Sequence, residues 1–113
     1  MTIVTMHKVD KSHLVKVMKE AEELGNVTIN VYYNGEIAYA LEGVHRTEAA
    51  KRLELPLILV ACDLDSLVST DCEDVEGYEN GYASVSAIVD YAYGSYDGGI
   101  YSNTDFASVE VIT

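Results

Sequence analysis

The dipeptide Asn34-Gly35 separates two runs of strand-forming residues, 27–33 and 36–41. Asparagine and glycine tolerate the positive backbone φ angles that a tight type I′ turn requires at its two central residues. The pattern therefore predicts a β-hairpin with a type I′ turn, which fixes one antiparallel pair of strands in the first half of the chain.

The residues before the hairpin predict a helix over 11–24. Asp10 can cap its first turn, apolar side chains recur on one face, and Gly25 provides a stop. A second helix is predicted from near His45 to about Leu53. The predicted core takes seven side chains from these two helices and the strand that follows them: Leu14, Met18, Leu24, Ala49, Leu53, Ile58 and Val60.

Pro56 precedes the apolar run 57–61, which predicts a buried strand. Further predicted elements are strands at 3–6 and 107–112, a third helix at 83–92 and a mobile loop at 94–99. Together they predict one domain over residues 1–113 with an α+β fold, in which helices pack on a small mixed sheet.

The composition fits this single folded domain. The chain has 113 residues, of which 49% are hydrophobic and 23% are charged, so it has enough apolar surface for one core. It has no apolar run of the roughly 18 residues that a membrane span needs, and residues 1–8 lack the order of a secretory signal. We therefore expect a cytoplasmic protein without membrane contact. Cys62 and Cys72 fit no metal-ligand spacing and are expected to be reduced.

The charge is unevenly distributed. Residues 1–60 carry seven basic and eight acidic side chains, a net charge of −1, whereas residues 61–113 carry eleven acids and no Lys or Arg. Direct binding of duplex DNA is not expected, because that binding depends on Lys and Arg at the phosphates. The acidic segment can be a solvated face, or a surface that docks a basic protein or imitates nucleic acid. Metal chelation by its acids is a third interpretation, but they lack the glycine and the terminal glutamate of a calcium loop: Asp63, Asp65, Asp71, Glu73 and Asp74.

The segment Glu42-Gly43-Val44-His45-Arg46-Thr47 lies between a predicted strand and a predicted helix. Free N–H groups in a first helical turn and the helix dipole favour an anion there, and Gly43 permits close backbone approach. Arg46 and His45 can donate hydrogen bonds to phosphate oxygens, and Glu42 can hold Mg²⁺ or act as a base. A capped helix with an exposed His-Arg pair explains the same residues without a ligand.

Taken in order, several elements resemble the ParB/sulfiredoxin-like domain family. They are the helix after Asp10, the strand around Ile29 and Val31, the segment YALEGVHRTEAAKRL and the strand LPLILV. The resemblance covers residues 3–62, with 63–113 as an acidic, Tyr-rich completion of the same domain. It implies the fold of that family for the whole chain.

The resemblance also implies a pocket for a nucleoside triphosphate or diphosphate, such as CTP, ATP or ADP, with or without Mg²⁺. The phosphates would contact Gly43, Val44, His45, Arg46 and Thr47. Hydrolysis or transfer of a phosphate would use Glu42 and His45, and no protein-bound metal is assigned. We expect Arg46→Ala to abolish anion binding and to leave the fold intact.

Two departures from the family narrow this expectation. Sulfiredoxins carry a catalytic Cys directly before His-Arg, where this chain has Val44, so reduction of sulfinic acid is not expected. Partitioning ParB proteins carry a second phosphate motif with Asn and Arg, which residues 61–67 lack. A CTP-driven DNA clamp and binding to centromeric DNA are therefore not expected.

The alternative function is a non-enzymatic interaction or inhibitor protein of phage or plasmid type. Six of the nine tyrosines fall in the acidic segment, where they can be core residues or contacts to a basic partner. Tyr93 and Tyr96 are the expected contacts, and their replacement by Ala is expected to spare stability. A homodimer is left open. His7 and His13 have no paired ligand spacing and are interpreted as surface or capping residues.

Overall fold

The computed structural model describes residues 1–70, 72–94 and 98–113. Its helices are α1 (Lys11–Leu24), α2 (Val44–Arg52) and α3 (Val85–Gly94). Its strands are β1 (Thr2–Val4), β2 (Val27–Tyr33), β3 (Ile37–Ala40), β4 (Pro56–Ala61), β5 (Leu67–Ser69), β6 (Tyr82–Ser84), β7 (Ile100–Ser102) and β8 (Ser108–Ile112). A short 3₁₀ turn, Asn103–Asp105, precedes β8.

Six strands form one mixed sheet in the order β7-β1-β3-β2-β4-β8. β2, β4 and β8 run parallel to one another, and β1 runs parallel to β3. The β2–β3 hairpin and the β1–β7 pair are antiparallel. β5 and β6 form a separate antiparallel ribbon. The α+β class with a mixed sheet is therefore confirmed.

Local capping residues set both ends of α1. The Asp10 carboxylate accepts a hydrogen bond from the Ser12 backbone N–H, and Gly25 adopts a left-handed conformation with a φ of 76°. The buried face of the helix holds Leu14, Val17 and Ala21. The predicted core position of Leu24 is wrong, because this residue lies in the last turn at the edge of the apolar face and is 74% exposed.

The hairpin forms where it is predicted, but its turn differs from the expected type. Gly35 has a φ of 99°, whereas Asn34 does not adopt a positive φ. The Asn34 N–H donates to the carbonyl of Ile37, so the two central residues are Gly35 and Glu36. The Asn34 side chain accepts hydrogen bonds from the N–H groups of Glu36 and Ile37, and this competing interaction removes the need for a left-handed asparagine.

Two other predicted boundaries are corrected. Residues 83–84 belong to β6, where Ala83 pairs with Val68 across the ribbon, and the third helix starts at Val85. The first strand ends at Val4 instead of residue 6. Three residues of the predicted loop 94–99, numbers 95–97, lie outside the described residues.

The main core lies between the helices α1 and α2 and the sheet. Leu14 and Ala49 are buried there as predicted, and Met18 and Leu53 pack against it. In β4 the fully buried side chains are Leu57 and Leu59, whereas the predicted Ile58 and Val60 are only half-buried on the opposite face, since side chains alternate along a strand. A smaller second cluster packs the acidic segment, residues 61–113, against Leu41, the residue after β3. Its buried members are Leu41, Val75, Ala83, Val85 and Ile88.

Among the described residues, no helix combines the length and the apolar character needed to cross a membrane.

Candidate functional site

The predicted turn lines a cleft of about 1050 Å³. One wall is formed by the start of α1 and the start of α2, with His7, His13 and Lys16 beside the turn. The facing wall comes from the acidic half of the chain and includes Thr70 and Tyr91. The cleft therefore lies between the two halves that differ in charge.

Gly43 allows α2 to begin directly against β2. It has a φ of 75°, and a Cβ atom at this position would lie 2.5 Å from Cγ2 of Ile29. Thr47 forms the first backbone bond of the helix, to the Gly43 carbonyl, and no side chain caps this end. The N–H groups of Val44, His45 and Arg46 consequently have no acceptor within the helix.

The side chains of Val44 and Thr47 offer a ligand no free hydrogen-bond donor. Both residues are buried, and the Thr47 hydroxyl donates to the Gly43 carbonyl at 2.8 Å. Any contribution of Val44 to an anion must therefore come from its backbone N–H. The predicted binding role of the turn is thereby limited to its backbone and to the side chains of His45 and Arg46.

His45 connects the two helices at the cleft. Its Nε2 accepts a hydrogen bond of 2.9 Å from the backbone N–H of Asp10. The ring centroids of His13 and His7 lie 4.5 Å and 5.8 Å from that of His45. Burial lowers the pKa of His45, and the neighbouring His13 and His7 lower it further, against a smaller opposing effect of Asp10.

Arg46 and Glu42 form an ion pair, one helical turn apart. The Arg46 guanidinium also donates to the Thr28 carbonyl at 2.7 Å, and Glu42 accepts from the Asn30 N–H at 3.1 Å. These contacts fasten the start of α2 to β2. Arg46→Ala would therefore remove contacts within the fold, and its predicted effects on the fold and on phosphate binding both stay predictions.

The same contacts bear on the predicted chemistry of Glu42. Both of its carboxylate oxygens are engaged, one by Arg46 and one by Asn30. Within residues 1–70, 72–94 and 98–113, no group of three or more His, Cys, Asp or Glu side chains is placed to hold a metal ion. A role for Glu42 as a base or a Mg²⁺ ligand requires its pair with Arg46 to open, and that role stays a prediction.

His7, His13 and Lys16 are among the cleft residues that the sequence did not assign to the site. His13 and Lys16 stand three residues apart on α1, so they share one face of the helix. This spacing is a local signal for a common surface. No local signal indicates that the start of α1 packs beside the start of α2, and this packing is what brings these side chains to the turn.

The tyrosines of the acidic segment, residues 61–113, have different roles. The Tyr93 hydroxyl lies 3.0 Å from the Val4 carbonyl and 2.8 Å from the Ala40 carbonyl, so it joins β1 to β3. These contacts speak against the expectation that Tyr93 can be replaced without loss of stability, and Tyr96 lies outside the described residues. Tyr101 is buried and bonds to Glu48, whereas Tyr82 and Tyr91 are exposed.

Comparisons with models of protein families, with curated proteins and with solved structures give no match for this chain. The resemblance to the ParB/sulfiredoxin-like family accordingly stays a prediction that rests on the sequence motifs. What the cleft can bind is inferred from its own residues.

Proposed function

We propose that the protein binds a nucleotide in this cleft, with the phosphates at the N-terminus of α2. The observation that carries the proposal is the convergence of an uncapped first helical turn with His13 and Lys16 in one cleft. Backbone N–H groups and the helix dipole favour an anion at this position, and a nearby ammonium group adds to the attraction. The histidines can donate further hydrogen bonds from their ring nitrogens.

The charges around the turn are compatible with an anion. Glu42 is neutralised by its pair with Arg46. Glu20 also lines the cleft, one turn beyond Lys16 on α1. We expect the phosphates at the end of the cleft next to His13, on the side away from Glu20, because like charges repel.

The remainder of the cleft suits the base and sugar of a nucleotide better than a second anion. Met6 and Ala92 contribute half-buried apolar surface, and Tyr91 offers an exposed ring for stacking. A volume of about 1050 Å³ far exceeds that of inorganic phosphate and falls at the upper end of small-molecule sites. The proposed ligand is therefore a nucleoside diphosphate or triphosphate, with ATP, ADP and CTP as the first candidates.

Binding without catalysis is the function that this geometry supports best. Mg²⁺ would neutralise charge on the phosphates of a bound nucleotide, and the described residues form no group of three or more metal-ligating side chains to hold it. Nε2 of His45 accepts a hydrogen bond from the Asp10 N–H, and Glu42 forms an ion pair with Arg46. Hydrolysis or phosphoryl transfer would need both residues to be released, so the catalytic assignment remains a prediction.

Isothermal titration with ATP, ADP, CTP and inorganic phosphate tests the proposal. We expect at least one nucleotide to bind more tightly than phosphate. Lys16→Ala should weaken that binding roughly tenfold, as expected for a lost charge-assisted hydrogen bond. Lys19→Ala is the matched control, since Lys19 is an exposed lysine on the same helix that does not line the cleft.

The proposal is wrong if none of these nucleotides binds, or if Lys16→Ala and Lys19→Ala reduce binding equally. Equal reduction would mean that only the total charge of the protein matters. Arg46→Ala is also expected to weaken binding, but it is the less direct test because Arg46 supports β2.

A further inference from the structure

The ribbon formed by β5 and β6 has one covered and one open face. Side chains alternate along its strands, and Val68 and Ala83, which pair with each other, face the second core cluster. Leu67 and Tyr82 lie on the other face and are 71% and 52% exposed. In the register of the ribbon they are diagonal neighbours, and their direct cross-strand partners on this face are Ser84 and Ser69.

Acidic residues lie at both ends of this ribbon. The exposed Asp63 and Asp65 belong to the turn that leads into β5. At the other end Glu79 exchanges two backbone hydrogen bonds with Tyr82, and three further exposed acids stand close by in the chain: Glu73, Asp74 and Glu76.

No positive side chain of the same segment balances these acids. Arg52 is the last Lys or Arg in the sequence. The ion pairs between described residues join Arg46 to Glu42 and Arg52 to Glu48, and neither involves the acids around the ribbon. The ribbon therefore combines two exposed apolar side chains on its open face with acids near both of its ends that no Lys or Arg of residues 61–113 balances.

We infer that the open face of the β5–β6 ribbon docks a basic protein segment that carries apolar side chains. Leu67 and Tyr82 would supply the buried centre of this contact, and the surrounding carboxylates would select Lys and Arg and speed the encounter. A second copy of this chain is a poor occupant, because it would bring the same acids against themselves in a protein of net charge −12. The inference does not depend on the nucleotide proposal: Ser69 of β5 lines the cleft, but Leu67, Tyr82 and the acids named above do not.

Two fluorescent peptides of equal length and charge provide the test, one alternating Lys and Leu, the other alternating Lys and Ser. We expect the Lys-Leu peptide to bind the protein more tightly in anisotropy titrations, with affinity that falls as salt is added. The double variant Leu67→Ser, Tyr82→Ser should lower the affinity for the Lys-Leu peptide by roughly tenfold or more. Its affinity for the Lys-Ser peptide should stay almost unchanged. Both side chains are exposed, so the melting temperature should stay close to that of the natural protein.

The matched control is the pair Val15→Ser and Leu24→Ser, which removes two apolar side chains of similar exposure from α1. The inference is overturned if this control lowers the affinity for the Lys-Leu peptide as much as the Leu67→Ser, Tyr82→Ser variant does. It is also overturned if neither double variant changes that affinity, or if sedimentation velocity shows a dimer that the Leu67→Ser, Tyr82→Ser variant abolishes. That result would place a second copy on this face.

Discussion

Nε2 of His45 accepts a hydrogen bond from the backbone N–H of Asp10 at 2.9 Å, which links the cap of α1 to the first turn of α2. A backbone amide can only donate, so this ring nitrogen must be unprotonated and the imidazole neutral. Burial and the two neighbouring histidines lower the pKa of His45, in agreement with that contact. Protonation of His45 would break the link beside the cleft.

The first prediction is that His45 makes folding stability depend on pH. Because its pKa is lowered in the folded protein, the unfolded chain takes up the proton first as the pH falls. The contribution of neutral His45 to the stability of the fold is complete above pH 6.5, the ordinary pKa of histidine. It is lost as the pH falls from that value through the lowered pKa of the folded protein. Urea unfolding between about pH 7.5 and about pH 5.5 should show this loss.

His45→Gln keeps a hydrogen-bond acceptor near Asp10 but does not titrate. In this variant the free energy of unfolding should fall less over the same pH range. Equal slopes for the two proteins would refute the assignment.

The second prediction compares two glycines with nearly the same backbone conformation. Gly43 and Gly25 have φ angles of 75° and 76°, but only a Cβ at Gly43 meets another residue, Ile29. Gly25→Ala should cost about 1 kcal/mol for the left-handed conformation. Gly43→Ala should cost roughly 1–3 kcal/mol more, because it adds a clash against β2. Urea unfolding of both variants measures the difference, and equal losses would contradict the packing of α2 on β2.

The third prediction concerns Tyr93. Tyr93→Phe removes the hydroxyl that lies between the carbonyls of Val4 and Ala40, and should lower the free energy of unfolding by about 1 kcal/mol. Tyr82→Phe is the control, because Tyr82 is exposed and makes no side-chain hydrogen bond within the described part of the chain. If both variants are equally stable, Tyr93 does not join β1 to β3.

Much of the fold could be predicted because the signals are local. Asp10 and Gly25 define the ends of α1 through contacts within a few residues, and the predicted range 11–24 matches the helix. The sequence predicts the position of the turn at Asn34 correctly but its type wrongly. The Asn34 side chain can bond to the backbone in more than one way, so the residue type alone does not fix the turn type. The run 57–61 is apolar throughout, so its sequence does not indicate which face of β4 is fully buried.

The candidate site could be predicted only in part, because only some of its contacts have a local sequence signal. The turn at Gly43 has a local pattern, and it lines the cleft of about 1050 Å³. The bond between His45 and Asp10 spans 35 residues, and the contacts of Tyr93 span up to 89, so neither has a local signal. The arrival of His13 and Lys16 at the turn depends on how α1 packs against α2.

The most direct test of nucleotide binding at the start of α2 is an NMR titration of ¹⁵N-labelled protein with ATP, ADP or CTP. Binding as proposed predicts that the backbone amide signals of Val44, His45 and Arg46 shift most, because these N–H groups gain phosphate oxygens as acceptors. Lys16→Ala should require more nucleotide to reach the same shifts. The account is contradicted if these three amides stay in place at nucleotide concentrations that saturate other signals, or if no signal moves with any of the three nucleotides.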